Sequence, residues 1–321
     1  MLIIPQTPLK FTPIFKYRMW GGEKLKTILN KDYKEEQIGE SWELSQVTGD
    51  ISVVSGGEFK GINLTELIEQ FKGDLVGEKV FEKFGTEFPL LIKYIDAKTP
   101  LSIQVHPDDE TARERHNSFG KNEMWFVMQA DSNSELIVGW DKPLDREAYL
   151  KSLKEGSILE FMHQEHVAHG DTFYIPTGRV HAIGAGVMLA EIQQTSDVTY
   201  RVYDYDRVDA KTGQKRELHV EESVEVMDFE IHENYKTNYH TQKNKSEKLV
   251  HSPYFTTNII DLDKEMKLDL SDRDSFTIFM AVEGNATING EKLGYGETIL
   301  IPNALNQLTI LGSGKLLEVS I

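Results

Sequence analysis

Gly170-Asp171-Thr172-Phe173-Tyr174-Ile175-Pro176-Thr177-Gly178-Arg179-Val180-His181 lies over Gly296-Glu297-Thr298-Ile299-Leu300-Ile301-Pro302-Asn303-Ala304-Leu305-Asn306-Gln307. Gly, Thr, Ile and Pro recur in place, and Asp171 matches Glu297. Each copy reads as a short strand ended by a proline turn, which fits two related β-barrels. Its last position differs: His181 in the first copy is Gln307 in the second. If the copies are related, the first barrel keeps a ligand that the second has lost, leaving the second structural or regulatory.

Working outward, the first barrel is expected over residues 1–235 and the second over 236–321. Phe88 to Val105 reads as two strands split by the turn signal Lys98-Thr99-Pro100, Met124–Met128 as another, and strands return from Phe173 to Tyr205. Residues 62–84 read as helical: Leu64, Leu67, Ile68 and Phe71 fall at helical spacing behind Asn63, a natural N-cap. A short helix is expected to open with Pro107-Asp108-Asp109-Glu110, since Pro and acidic residues suit a first turn, and another is expected over Asp145–Lys154. The polar stretch 208–250 reads as a solvated connector, and glycine turns at Gly284, Gly290, Gly294, Gly296, Gly312 and Gly314 punctuate the second barrel. The expected class is mainly β, with jelly-roll barrels and a few short helices.

Composition narrows the function. With 321 residues, one ordinary core is too small a description, and two domains are expected. The net charge of −17 disfavours nucleic acid and anionic lipid, which need Lys and Arg to displace counterions. No apolar run reaches the length of a membrane span. The absence of cysteine excludes disulfides, thiolate metal sites and cysteine nucleophiles. The start has no basic leader or small-residue cleavage site, so a cytoplasmic location is expected.

Gln104 and His106 are two apart on an expected strand and share a face; Lys121 and Glu123 are likewise two apart at the entry to the next strand. His181 follows the Ile175-Pro176-x-Gly178 turn. Two imidazoles and a carboxylate, with Gln104 as a neutral fourth group, suit Zn²⁺, Fe²⁺, Mn²⁺ or Ni²⁺ with a position open for substrate. The run His163, His166, His169 lacks helical spacing support and is not read as a metal site, and Trp20 and Trp42 are read as packing residues.

Lys93-Tyr94-Ile95-Asp96-Ala97 and Leu101-Ser102-Ile103-Gln104-Val105-His106-Pro107-Asp108 resemble the signature of the type I mannose-6-phosphate isomerase family, whose barrels are of the cupin type. Gly120-Lys121-Asn122-Glu123-Met124-Trp125 is similar to that family's second ligand segment, with Gly and Asn replacing His and Pro. Ile175–Ala182 resembles the third, and Glu191–Arg201 resembles the segment carrying its catalytic arginine. The resemblance is dense over residues 15–205 and thin beyond. It implies one Zn²⁺ per chain held by His106, Glu123 and His181. Gln104 is a fourth ligand or a hydrogen-bond partner of one. It also implies a small sugar phosphate as partner, with Arg201 catalytic and Lys121 close to the substrate. A carboxylate such as Glu191 could carry the proton between C1 and C2. The competing readings are an Fe²⁺ oxygenase and a non-catalytic sugar-binding barrel.

Overall fold

The computed structural model describes residues 4–321. The chain forms two compact units, neither contiguous in sequence. One comprises Phe15–Ser41 and Lys93–Thr237; the other comprises the N-terminal residues to Ile14, Trp42–Ile92 and Asn238–Ile321. The chain crosses between them for the last time at Thr237/Asn238.

The unit carrying His106, Glu123 and His181 is built on two sheets. The larger runs, in spatial order, Ile14–Gly22, Ile38–Leu44, Leu90–Ala97, Val187–Gln194, Glu123–Ala130 and Thr172–Ile175. The smaller runs Tyr200–Tyr203, Ile103–Val105, His181–Ile183, Glu135–Trp140 and Met162–His166. Between their facing sides lies an apolar cluster that includes Ile95, Trp125, Val127, Leu136, Val138, Phe173 and Leu189. Fully burying each aliphatic side chain of this kind contributes about 1.5–3 kcal/mol. The outer side of the smaller sheet is covered by a second cluster, in which Ile103, Val105, Ala182 and Val202 meet Tyr149 from the helix Arg146–Glu155 and Val224 from the helix Val220–Val226.

The stretch 208–250 is therefore more than a solvated connector. Val224, Met227 and Tyr235 are buried in it, and the Tyr235 hydroxyl donates to Trp140 O at 3.1 Å while accepting from Trp140 N at 3.0 Å. Its polar composition masked a few apolar anchors set far apart. Gly139 permits this docking. It sits at φ +74°, and a Cβ there would run into the Tyr235 ring.

In the other unit, Gln307–Ser320 pairs antiparallel with Thr256–Leu262, Met266–Asp269 and Thr277–Ile288. Its interior is apolar: Ile260, Phe279, Ile288, Ile299, Ile310 and Leu316 are all buried. The helical stretch belongs to this unit. Asn63 caps the helix Leu64–Phe71 in a reciprocal box with Glu66, and positive φ at Lys72 and Gly77 breaks the rest into Gly73–Val76 and Glu78–Phe84. Asp274 accepts from the backbone N of Glu78 at 2.7 Å and of Lys79 at 3.0 Å, so a C-terminal carboxylate caps the third of these helices.

The two repeat segments follow the same local course. Thr172–Ile175 and Thr298–Ile301 are strands, each followed by a proline turn into the next strand. Their last residues differ in environment as well as in type. His181 is 1% exposed, whereas Gln307 is exposed and donates to Ser271 Oγ at 3.1 Å.

Candidate metal centre

Four short elements bring the site together. His106 ends the strand Ile103–Val105; Pro107 stops it, and Asp108 caps the helix Asp109–His116. His106 O accepts from Gly178 N at 2.9 Å, which draws the turn before His181 against the first ligand segment. Gly178 makes that turn at φ +82°. His181 then pairs with Gln104 on one side and Val138 on the other, and Glu123 opens its strand opposite Gln193.

The result is a tight buried group. Glu123 Oε1 lies 3.3 Å from His181 Nε2, and Glu123 Oε2 lies 3.7 Å from His106 Nε2. The three residues offer ligand atoms all within 4.8 Å of one another. Gln104 Nε2 is 3.2 Å from His181 Nε2. Each imidazole has its Nδ1 against a backbone carbonyl, His106 on Val198 O at 3.0 Å and His181 on Arg179 O at 2.8 Å. Nδ1–H therefore donates outward, and the Nε2 lone pairs converge on Glu123, the arrangement seen where histidine binds a metal.

Electrostatics agree. Burial, followed by the Lys121 ammonium, holds His106 well below its ordinary range and His181 down to about 3, so both rings are neutral at physiological pH. Burial pushes Glu123 up to about 7, against the pull of Lys121. Lys121 Nζ donates to His106 Nε2 at 2.9 Å and to Glu123 Oε2, so a cation already bridges two of the three ligand groups. Among the described residues no hydrogen-bond donor reaches Glu123 Oε1, although it is fully buried. A carboxylate oxygen left in this way, facing two neutral imidazole nitrogens, fits a divalent metal ion.

Arg201 lies opposite Gln104, so Arg201, Gln104 and His181 form one row across three strands. Its side chain donates to Ser102 Oγ at 3.3 Å and Glu217 O at 2.9 Å, and burial, then Arg216, lowers its pKa. Glu191 is buried; its Oε2 accepts from Trp125 Nε1 at 2.9 Å and its Oε1 pairs with Lys93 Nζ at 2.9 Å. Burial opposes ionisation there, but Lys93 and then Lys121 outweigh it and hold the carboxyl below its ordinary value.

Sequence reasoning missed what stands behind Glu191. Arg18 donates to both oxygens of Glu40 at 2.9 Å, and the field of Glu40 acts on Lys93, which also donates to Gln193 Oε1 at 2.6 Å. Arg18, Glu40, Lys93 and Glu191 thus alternate in sign along four strands of the larger sheet. The available signal was a lysine, with Asp96 as the one other charged residue, inside the apolar run Leu90–Ala97. In the histidine run, His163 bonds Asp141 at 2.7 Å and Glu165 at 3.0 Å on an edge strand. A second cluster, Asp228, Glu230 and His232, is already met by a cation, with Arg179 donating to His232 Nε2 at 2.8 Å. Trp20 and Trp42 are both core residues.

Two neutral histidines and a carboxylate gathered inside an antiparallel barrel fit a metal-binding protein of the cupin class. Residues 9–133 match the family model "Phosphomannose isomerase type I, catalytic domain", and residues 245–321 match "Mannose-6-phosphate isomerase, cupin domain". The chain is 35% identical to a mannose-6-phosphate isomerase of Streptococcus mutans, over 90% of each chain. It is 34% identical to mannose-6-phosphate isomerase ManA of Bacillus subtilis, over 95% of this chain and 96% of that one. A crystal structure of the Bacillus subtilis mannose 6-phosphate isomerase superposes with a TM-score of 0.87 at 31% identity, covering 98% of this chain and 99% of that one. The chain belongs to the type I mannose-6-phosphate isomerase family, and its activity is that of an aldose–ketose isomerase.

Proposed function

We propose that the chain interconverts mannose 6-phosphate and fructose 6-phosphate in the cytoplasm with one zinc ion, by proton transfer through an enediol(ate). The observation that carries this reading is the convergence of His106 Nε2, His181 Nε2 and the donor-less Glu123 Oε1 on one buried point. His106, Glu123 and His181 would hold the ion, with Gln104 beside His181. The ion when bound supplies a Lewis acid for the carbonyl and the oxyanion that develops from it.

The remaining roles fall to the chain's own groups. Arg201 donates to the substrate's oxygens or grips its phosphate, since its planar fork suits either. Lys121 presents an ammonium at the same face and offsets negative charge in a chain whose net charge is −17. Glu191 carries the proton between C1 and C2. Its pairing with Lys93 keeps it ionised and ready to accept, and the depressed pKa makes it return the proton.

Isomerisation in D₂O tests this mechanism. Proton transfer places solvent deuterium at C1 of fructose 6-phosphate and C2 of mannose 6-phosphate, read by NMR. Complete retention of the substrate hydrogen over many turnovers would show a hydride shift and overturn the enediol(ate) route.

A further inference from the structure

The repeat reaches beyond its matching segments into the pairing of the strands around them. In the first barrel Glu123 pairs with Ile175, and Glu191 pairs with Trp125. In the second, Thr277 pairs with Ile301, and Glu318 pairs with Phe279. Ile301 lies over Ile175, so Thr277 lies over Glu123, Phe279 over Trp125 and Glu318 over Glu191. The irregularities agree. Pairing passes over Met128 between Met188 and Leu189, and over Val282 between Lys315 and Leu316, which is the same place in both ladders. Asp269 pairs with Gln307 as Gln104 pairs with His181, which sets Ser271 over His106.

The second barrel thus lacks both histidines and the counterpart of Glu123, yet keeps the carboxylate deeper in. Gln307 and Ser271 are turned to each other, with Gln307 donating to Ser271 Oγ at 3.1 Å and Ser271 Oγ donating to Asp269 Oδ1 at 2.6 Å. Glu318 is 1% exposed, among the buried side chains of Leu316, Leu317 and Val319. A carboxylate in such a place is costly unless its charge is met. Its Oε2 accepts from Ser246 Oγ, which accepts in turn from Asn258 Nδ2 at 2.9 Å. Its Oε1 lies 2.6 Å from Arg273 Nη2, and Arg273 Nη1 donates to Thr277 Oγ1 at 3.0 Å. The guanidinium therefore spans the two positions that Glu123 and Glu191 hold in the first barrel. It comes from the segment just after Ser271, the counterpart of His106.

We infer that the second barrel retains a cation site at Glu318 and fills it from its own chain: Arg273 is a resident guanidinium that closes the pocket to outside ligands. Loss of the histidines and gain of an internal cation then belong together. Emptied of Arg273, the site takes a small guanidinium ion, whose planar fork reaches Glu318 and Thr277 at once, whereas an ammonium of similar size is a point charge.

The full chain carrying Arg273→Ala tests this, with methylguanidinium and methylammonium as probes and thermal unfolding and titration calorimetry as readouts. The variant should unfold at a lower temperature and keep its turnover, since Arg273 has no part in the reaction. Methylguanidinium should bind it saturably in the millimolar range and restore part of the loss, with affinity roughly 10-fold tighter than methylammonium because only the planar ion spans both oxygens. Wild type, its site filled, should show no such binding. Arg273→Ala with Glu318→Gln should be more stable than Arg273→Ala alone and should ignore methylguanidinium. If the single variant is too unstable to purify, a folded double variant supports the inference, and a double variant equally unstable overturns it. An Arg273→Ala chain as stable as wild type, equal affinity for the two ions, binding of methylguanidinium to wild type, or an undiminished response in the double variant would each overturn it as well.

Discussion

Replacing Lys93 by Met removes the cation that keeps Glu191 ionised inside the barrel. Lys93 is 6% exposed and Glu191 3%, so solvent cannot take over the lost interaction. Breaking a buried ion pair from one side typically costs 3–5 kcal/mol, because the remaining charge is left uncompensated. For a unit of this size that is a fall in Tm on the order of 10 °C. The pH dependence should change sign. In the wild-type chain Glu191 titrates below its ordinary value, so its contribution is present above the unfolded carboxylate pKa and is lost as pH falls through the folded one. Without Lys93 burial dominates, and the folded pKa rises above the unfolded one. Stability is then lost as pH rises, and the variant should be weakened more at pH 8 than at pH 5. Lys93→Met with Glu191→Gln restores most of the loss, since the amide oxygen still accepts from Trp125 Nε1 and no charge is stranded. Urea unfolding of wild type, both single variants and the double variant closes the cycle. A single Lys93→Met variant as stable as wild type at pH 8, or a double variant no better than the single, would refute the reasoning.

Arg201→Ala should lower kcat by about 10²-fold, or roughly 3 kcal/mol of barrier, with metal content unchanged; Arg201→Lys should recover only part. A rise in KM with kcat unaltered would instead mark a ground-state phosphate clamp. His163 is lowered by burial but raised more by hydrogen bonds to Glu165 and Asp141, a net upward shift. Its contribution is present below the unfolded histidine pKa and lost as pH rises through the folded one, so His163→Gln should flatten thermal stability over about pH 6–8. Gly139→Ala forces a side chain into a left-handed conformation and against Tyr235, and should lower Tm by several degrees while turnover persists, as followed by calorimetry.

The buried group His106, Glu123 and His181 was legible because its chemistry is written in residue type and spacing. Gln104 with His106, and Lys121 with Glu123, share faces by strand alternation, and His181 follows a turn that a second copy repeats. The cap at Asn63 was legible for the same reason, since a cap is a local event, whereas Asp108 and Asp145, read as residues of their helices, stand one place earlier as their caps. What stayed hidden depends on pairing between distant segments. Lys93 reaches Glu191 only once the strands Leu90–Ala97 and Val187–Gln194 lie side by side. Glu40 joins them from a third strand, and no local pattern predicts that register. The helices of residues 64–84 precede most of the catalytic unit in sequence yet belong with the C-terminal sheet, because Asp274, nearly two hundred residues later, supplies the cap of Glu78–Phe84.

The most direct test of the account is turnover of mannose 6-phosphate by protein stripped of metal, with zinc content followed by elemental analysis. The chelated chain should be inactive, and activity should return in proportion to zinc taken up, reaching its limit at one ion per chain. Full turnover in protein shown to be free of metal would contradict the role assigned to His106, Glu123 and His181.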